Sequence, residues 1–97
     1  QVFAGVRREV DGEALVRLAP SIVPVLLDVT SCASTAAAVA VVASKLEGRN
    51  LSGLVNNAGK GVFMPLELMP MEVFDDVMAV NVSGLVRVTK AAIPLLR

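Results

Sequence analysis

The chain is 97 residues long, enough for one small domain that buries roughly two-thirds of its unfolded surface. Hydrophobic residues make up 55% of it and aromatics 3%, with no Trp, Tyr or His, a Val-, Ala- and Leu-rich composition that suits helices packed on a parallel sheet. Nine basic residues balance nine acidic ones, so no basic field points to nucleic acid, and no contiguous apolar run approaches the roughly 20 residues of a membrane span.

Val2–Val6 ("VFAGV") is a short apolar run closed by Arg7 and Arg8, which predicts a buried strand. Val10, Ala14, Leu15 and Leu18 then recur at helical spacing over Glu9 to Leu18, with Pro20 as the stop. A second strand is expected at Val23–Leu27, with Pro24 near its start, where a missing N–H is tolerable. Asp28, Thr30 and Ser31 offer caps for a helix over Ser34–Leu46 that Gly48 closes, and its tract "AAAVAVVA" (Ala36–Ala43) reads as a buried part. Leu51–Val55 is expected as a third strand. Beyond a loop containing Pro65, a long helix should run from Met71 to the end of the chain, with bends at Gly84 and Pro94. Alternation of this kind argues for right-handed crossovers and a parallel sheet.

The lone cysteine, Cys32, excludes an internal disulfide. With no histidine or second thiol it completes no zinc or nucleophile constellation, so it is expected to be a bystander near a loop. The lack of a disulfide framework favours a cytoplasmic setting. Gln1 opens directly on strand-like residues and Arg97 falls within a helical pattern, so a piece of a longer domain is expected.

Ligands of open α/β sheets collect beyond the carboxyl ends of the strands. Three strand ends here carry unusual residues: Val6-Arg7, Asp28-Val29 and Asn57-Ala58-Gly59. Each has an ordinary explanation: Arg7 as a solvated charge, Asp28 as a helix cap, the asparagines as a turn. A fourth oddity lies in the last helix. Phe74, Met78, Asn81, Leu85, Val88, Ala92 and Leu95 follow alternating steps of four and three, which puts Asn81 inside the apolar stripe. A buried amide without partners costs about 1–3 kcal/mol. Asn81 therefore either satisfies a backbone group or water, or serves chemistry.

Taken together, "LLDVT" (Leu26–Thr30), "LVNNAG" (Leu54–Gly59) and "VNVSG" (Val80–Gly84), at these spacings, resemble the short-chain dehydrogenase/reductase family over essentially the whole chain. The resemblance implies an α/β fold, a partial Rossmann-type doubly wound parallel sheet covering the family's second to fourth strands and flanking helices. It implies that residues 1–97 are an internal part of a single dinucleotide-binding domain, truncated at both ends. It also implies an oxidoreductase that moves a hydride between NAD(P)(H) and an alcohol or carbonyl substrate, with a homo-oligomeric parent.

By this resemblance the backbone of Asn57, Ala58 and Gly59 faces the cofactor ribose, while the Asn56 and Asn57 amides satisfy backbone groups and Asn57 steadies the sheet. Asp28 accepts from the adenine amino group, with Val29 beside the ring. Asn81 helps hold a water in the proton relay and is the catalytic candidate. Val6 stands where NAD enzymes usually carry an acid for the ribose 2′-hydroxyl, and Arg7 offers a planar fork for a 2′-phosphate, so NADP is preferred over NAD. The segments "GVFMPLELMP" and "GLVRVTKAAIPLLR" look most like the retinoid and steroid dehydrogenase branch, which suggests a hydrophobic substrate.

Two departures from the family pattern matter. The glycine-rich phosphate loop is absent, and so is the catalytic tyrosine with its lysine, since Lys90 falls too early and on the wrong helix. The chain alone is therefore expected to be inactive. In the resembled fold a further strand lies between Val2–Val6 and Leu51–Val55. The alternatives are a non-catalytic dinucleotide-binding regulator of the same fold and a truncated product with a structural or partner-binding role.

Overall fold

Strands β1 (Val2–Val6) and β2 (Ile22–Leu26) pair in parallel, from Val2 against Ile22 to Val6 against Leu26, in a computed structural model that describes residues 1–97. Parallel strands cannot be joined by a tight turn, and α1 (Glu9–Leu18) makes the crossover. Its first turn is organised by Arg8, whose guanidinium donates two 3.0 Å hydrogen bonds to the Asp11 carboxylate. Gly12 is what lets the helix lie close on the sheet. A Cβ there would stand 2.7 Å from Pro24 Cβ and 3.5 Å from Val6 Cγ2.

β2 starts and ends one residue earlier than expected, so Pro24 sits at its centre opposite Ala4. β2 is paired on one side only, and an edge is where a missing N–H is tolerated. Leu27 still continues the ladder, donating its N–H to the Val6 carbonyl at 2.8 Å.

Helix α2 (Cys32–Leu46) is capped by Ser31, whose hydroxyl accepts from the Ser34 N–H at 3.1 Å. It ends where Glu47 and Gly48 turn left-handed, at φ 52° and 83°. The glycine takes that conformation without a Cβ penalty. Cys32 is its exposed first residue, next to the loop as expected, but one expectation fails on this helix. Only Ala38 of the tract Ala36–Ala43 is buried, and Val41 is exposed, because the helix meets neighbours along one narrow face.

The third expected strand does not form. Leu51–Val55 has no ladder partner, and its one backbone anchor is the Leu51 N–H on the Leu95 carbonyl, at 2.8 Å. Strand geometry needs a neighbour to receive its N–H and C=O groups, and neither β1 nor β2 reaches this segment. A short 3₁₀ turn at Leu66–Leu68 precedes the terminal helix.

That helix is continuous over Met71–Leu96 but not uniform. Its first part, α3 (Met71–Met78), passes into a π-helical segment at Ala79–Gly84 and then α4 (Leu85–Leu96), with Pro94 inside. A wide turn takes the place of the bend expected at Gly84. Val88 and Ala92 are buried as the stripe predicts, whereas Phe74, Met78 and Leu85 stay about two-fifths exposed, at 40%, 39% and 43%. The 26-residue helix is long and apolar enough to cross a membrane by length and composition alone. Here its Val88–Ala92 face packs on the protein, chiefly on α2.

Candidate functional site

The turn after β2 is built around Asp28. Its N–H donates to Ser34 Oγ at 2.8 Å. Its Oδ1 accepts twice from Thr30, from the hydroxyl at 2.6 Å and the N–H at 2.9 Å. Those bonds favour the charged form, so the Thr30 hydroxyl first, and then its N–H, holds the carboxyl below its ordinary range, with the Arg7 and Arg87 charges adding to the effect. Because Ser31 caps α2, the capping explanation for Asp28 falls away. No bond from the chain falls on Oδ2, which leaves one carboxylate oxygen to accept from a ligand amino group.

The two arginines after β1 divide their roles. Arg8 is tied to Asp11. Arg7 is exposed, makes no ion pair within the chain, and lies close enough to Asp28 to influence its charge. Val6, at the position where the acid is missing, is buried, 9% exposed, against Gly12. Its contribution to this corner is the absence of a carboxylate.

Val29 faces the terminal helix. A Cβ on Gly84 would stand 2.7 Å from Val29 Cγ2, so the valine packs where the glycine leaves room. Its carbonyl accepts a 2.5 Å hydrogen bond from Arg87 Nη1.

The same π turn reaches the second cluster through Asn81. The Asn81 Oδ1 accepts from the Lys60 N–H and its Nδ2 donates to the Lys60 carbonyl, both at 2.8 Å. A side-chain amide thus pairs with both backbone groups of one residue, directly after Asn57-Ala58-Gly59. Asn81 is half-buried with a partner at each amide atom, so the amide inside the apolar stripe has its backbone group. A π segment in an α-helix often marks a functional position, and this one turns Asn81 towards Lys60 and Gly84 towards Val29.

Asn56 also differs from expectation: its Nδ2 donates to the Thr89 hydroxyl at 3.0 Å, not to backbone. The Asn57 amide makes no bond within the chain, since the strand it was expected to steady has no ladder. Gly59 has no packing reason to be glycine. A Cβ there would meet only Asn81 Oδ1 at 3.6 Å and the Asn57 carbonyl at 3.9 Å, ordinary contacts, and its φ is not positive.

The π turn therefore brings Asp28-Val29 and Asn57–Lys60 to one side of the terminal helix, and Arg7 stands beside Asp28. The donor set fits a nicotinamide dinucleotide: a half-free carboxylate for an amino group, an unpaired guanidinium for a phosphate, and an exposed glycine-containing wall that a flat group can approach. Sequence reasoning missed Lys60, whose backbone is the clamp's second half, and Arg87. The spacing of Gly84 and Arg87, three apart on one helix face, was the available signal for the latter.

The family model described as short chain dehydrogenase matches residues 2–97. Mouse retinol dehydrogenase 7 is 42% identical over 73 residues, which cover 75% of this chain and 23% of that protein; it belongs on the retinoid side expected from the loop sequence. Two solved structures share the fold at comparable identity. The NADPH-bound carbonyl reductase from chicken fatty liver superposes with a TM-score of 0.88 at 29% identity, over 97% of this chain and 39% of its own. The 3-ketoacyl-(acyl-carrier-protein) reductase of Brucella melitensis, complexed with NADH, gives 0.87 at 31%, over 97% and 38%. The match of nearly every residue, and of a sheet and helices whose loops gather Asp28, Gly59 and Asn81, makes this chain a member of the short-chain dehydrogenase family.

Proposed function

We propose that residues 1–97 form the adenine side and part of the nicotinamide wall within a single dinucleotide-binding domain of an NAD(P)-dependent oxidoreductase. The bound nicotinamide supplies or accepts the hydride at a carbonyl or alcohol carbon. The chain's own residues bind and orient: Asp28 takes the adenine amino group, Arg7 the ribose 2′-phosphate, and the Asn57–Gly59 backbone lines the ribose. The observation that carries this reading is the Asn81–Lys60 pairing. An amide that holds both the N–H and the carbonyl of Lys60 fixes the adjoining wall and leaves it open, where a plain turn would need no such clamp. The missing acid at Val6 and the free Arg7 support NADP over NAD. The reading includes a hydrophobic alcohol or carbonyl substrate, a homo-oligomeric whole enzyme and a cytoplasmic setting.

Two tests apply. The coding DNA on both sides should, in frame, encode an upstream strand with a Gly-rich turn and, within roughly one βα unit downstream, a Tyr and a Lys four positions apart. That spacing sets both on one helix face, where the ammonium lowers the phenol's pKa. An in-frame flank without the pair would leave a dinucleotide-binding protein and no catalyst. In the complete enzyme, Arg7→Asp should weaken NADP(H) binding by about 1–3 kcal/mol, the size of a lost charged hydrogen bond. NAD(H) binding should hold or improve. An unaltered preference between the two would remove Arg7 from the site.

A further inference from the structure

Arg87 is the one basic side chain that reaches from the terminal helix to the turn after β2. Its Nη1 donates to the Val29 carbonyl across 58 positions of sequence, and it is half-buried. The bond to a single carbonyl has a companion contact. One turn earlier on the same helix, Gly84 lies so close under Val29 that a methyl group there would meet Cγ2 at 2.7 Å and Cβ at 3.0 Å. Side chain below and carbonyl above, Val29 is gripped at two points by one helix. Nothing comparable holds it from β1: the nearby Arg7 has no bond to the turn.

We propose that Arg87 is a positioning residue for the adenine half of the dinucleotide. By fixing the Val29 carbonyl it sets the angle at which the Asp28 carboxylate and the Val29 backbone present themselves, without touching the cofactor. This rests on the assignment of Asp28 and Val29 to the adenine site. A guanidinium suits the task because its planar donors are pre-organised and always charged. It is also the only hydrogen bond that couples the adenine turn to the helix carrying Asn81, so one element registers both halves of the site.

The test is calorimetric binding to the complete enzyme, using adenosine 2′,5′-bisphosphate for the adenine half and nicotinamide mononucleotide for the other. Arg87→Met should weaken adenosine 2′,5′-bisphosphate about tenfold, the effect of one charge-assisted hydrogen bond, and leave nicotinamide mononucleotide binding unchanged. Arg87→Lys, which keeps a donor, should recover most of the loss and guards against a Met variant that does not fold. Gly84→Ala, which pushes Val29 from below, should reproduce the selective loss. Equal weakening of both probes, or no weakening of either, overturns the positioning role. Asp28→Ala separates the two levels of the argument. If it weakens the bisphosphate while Arg87→Met does not, only the Arg87 role fails; if Asp28→Ala has no effect, the adenine assignment itself falls.

Discussion

Expressed alone, the 97-residue chain is expected to form oligomers or a loosely packed state, with no measurable NADP(H)-dependent reduction. The reason is the distribution of apolar surface. Only nine of 97 residues are buried; six of these form the hydrophobic core, two of them alanines, and no side chain is fully enclosed. Conformational entropy is lost at every ordered residue, whereas the hydrophobic gain comes only from surface removed from water. Val55, Phe63 and Leu66 stand 87%, 104% and 80% exposed. Both strands of the sheet also keep one unpaired edge, and edges of that kind recruit other chains. Exposed apolar surface on this scale invites association. Size-exclusion chromatography with urea unfolding checks the expectation. A monomeric peak with a steep two-state transition would overturn it and identify a self-sufficient small domain.

The parts of the fold legible in the sequence are those decided locally. β1 and α1 fall at the expected residues because an apolar run, a helical spacing and Pro20 act within a few positions of each other. The end of α2 is legible for the same reason, since Gly48 accepts a left-handed φ of 83°. Leu51–Val55 fails because strand character is not local: the apolar run is present, but a ladder requires a neighbour supplied by some other segment. The tract Ala36–Ala43 fails in the same way, since composition signals burial only if something covers the helix.

The site divides along similar lines. Asp28 and Asn81 announce themselves as polar groups where the pattern calls for something else. Their settings do not. The Asn81–Lys60 pair spans 21 positions and the Arg87–Val29 bond 58, and a backbone group carries no residue signature.

Asn81→Leu in the complete enzyme is expected to separate chemistry from packing. Leucine fills the apolar stripe between Met78 and Leu85 and has good helix propensity, so the helix itself should persist. The loss falls on Lys60, whose N–H and carbonyl both give up their 2.8 Å partners. Lys60 is exposed, so water can replace those partners, and the stability cost should stay near the net value of ordinary hydrogen bonds, about 0.5–1.5 kcal/mol each. Turnover should respond far more strongly. Without the clamp, the Asn57–Gly59 wall loses its fixed position beside the π turn, and misplacement of a reacting group by about 1 Å can lower a rate on the order of a hundredfold. The expected result is therefore a variant that unfolds at nearly the parental urea midpoint yet turns over on the order of a hundred times more slowly. Steady-state kinetics with saturating cofactor and substrate, run beside urea unfolding on the same preparation, reads both quantities. Normal turnover with a clearly lowered midpoint would make Asn81 a packing residue and remove it from the catalytic machinery.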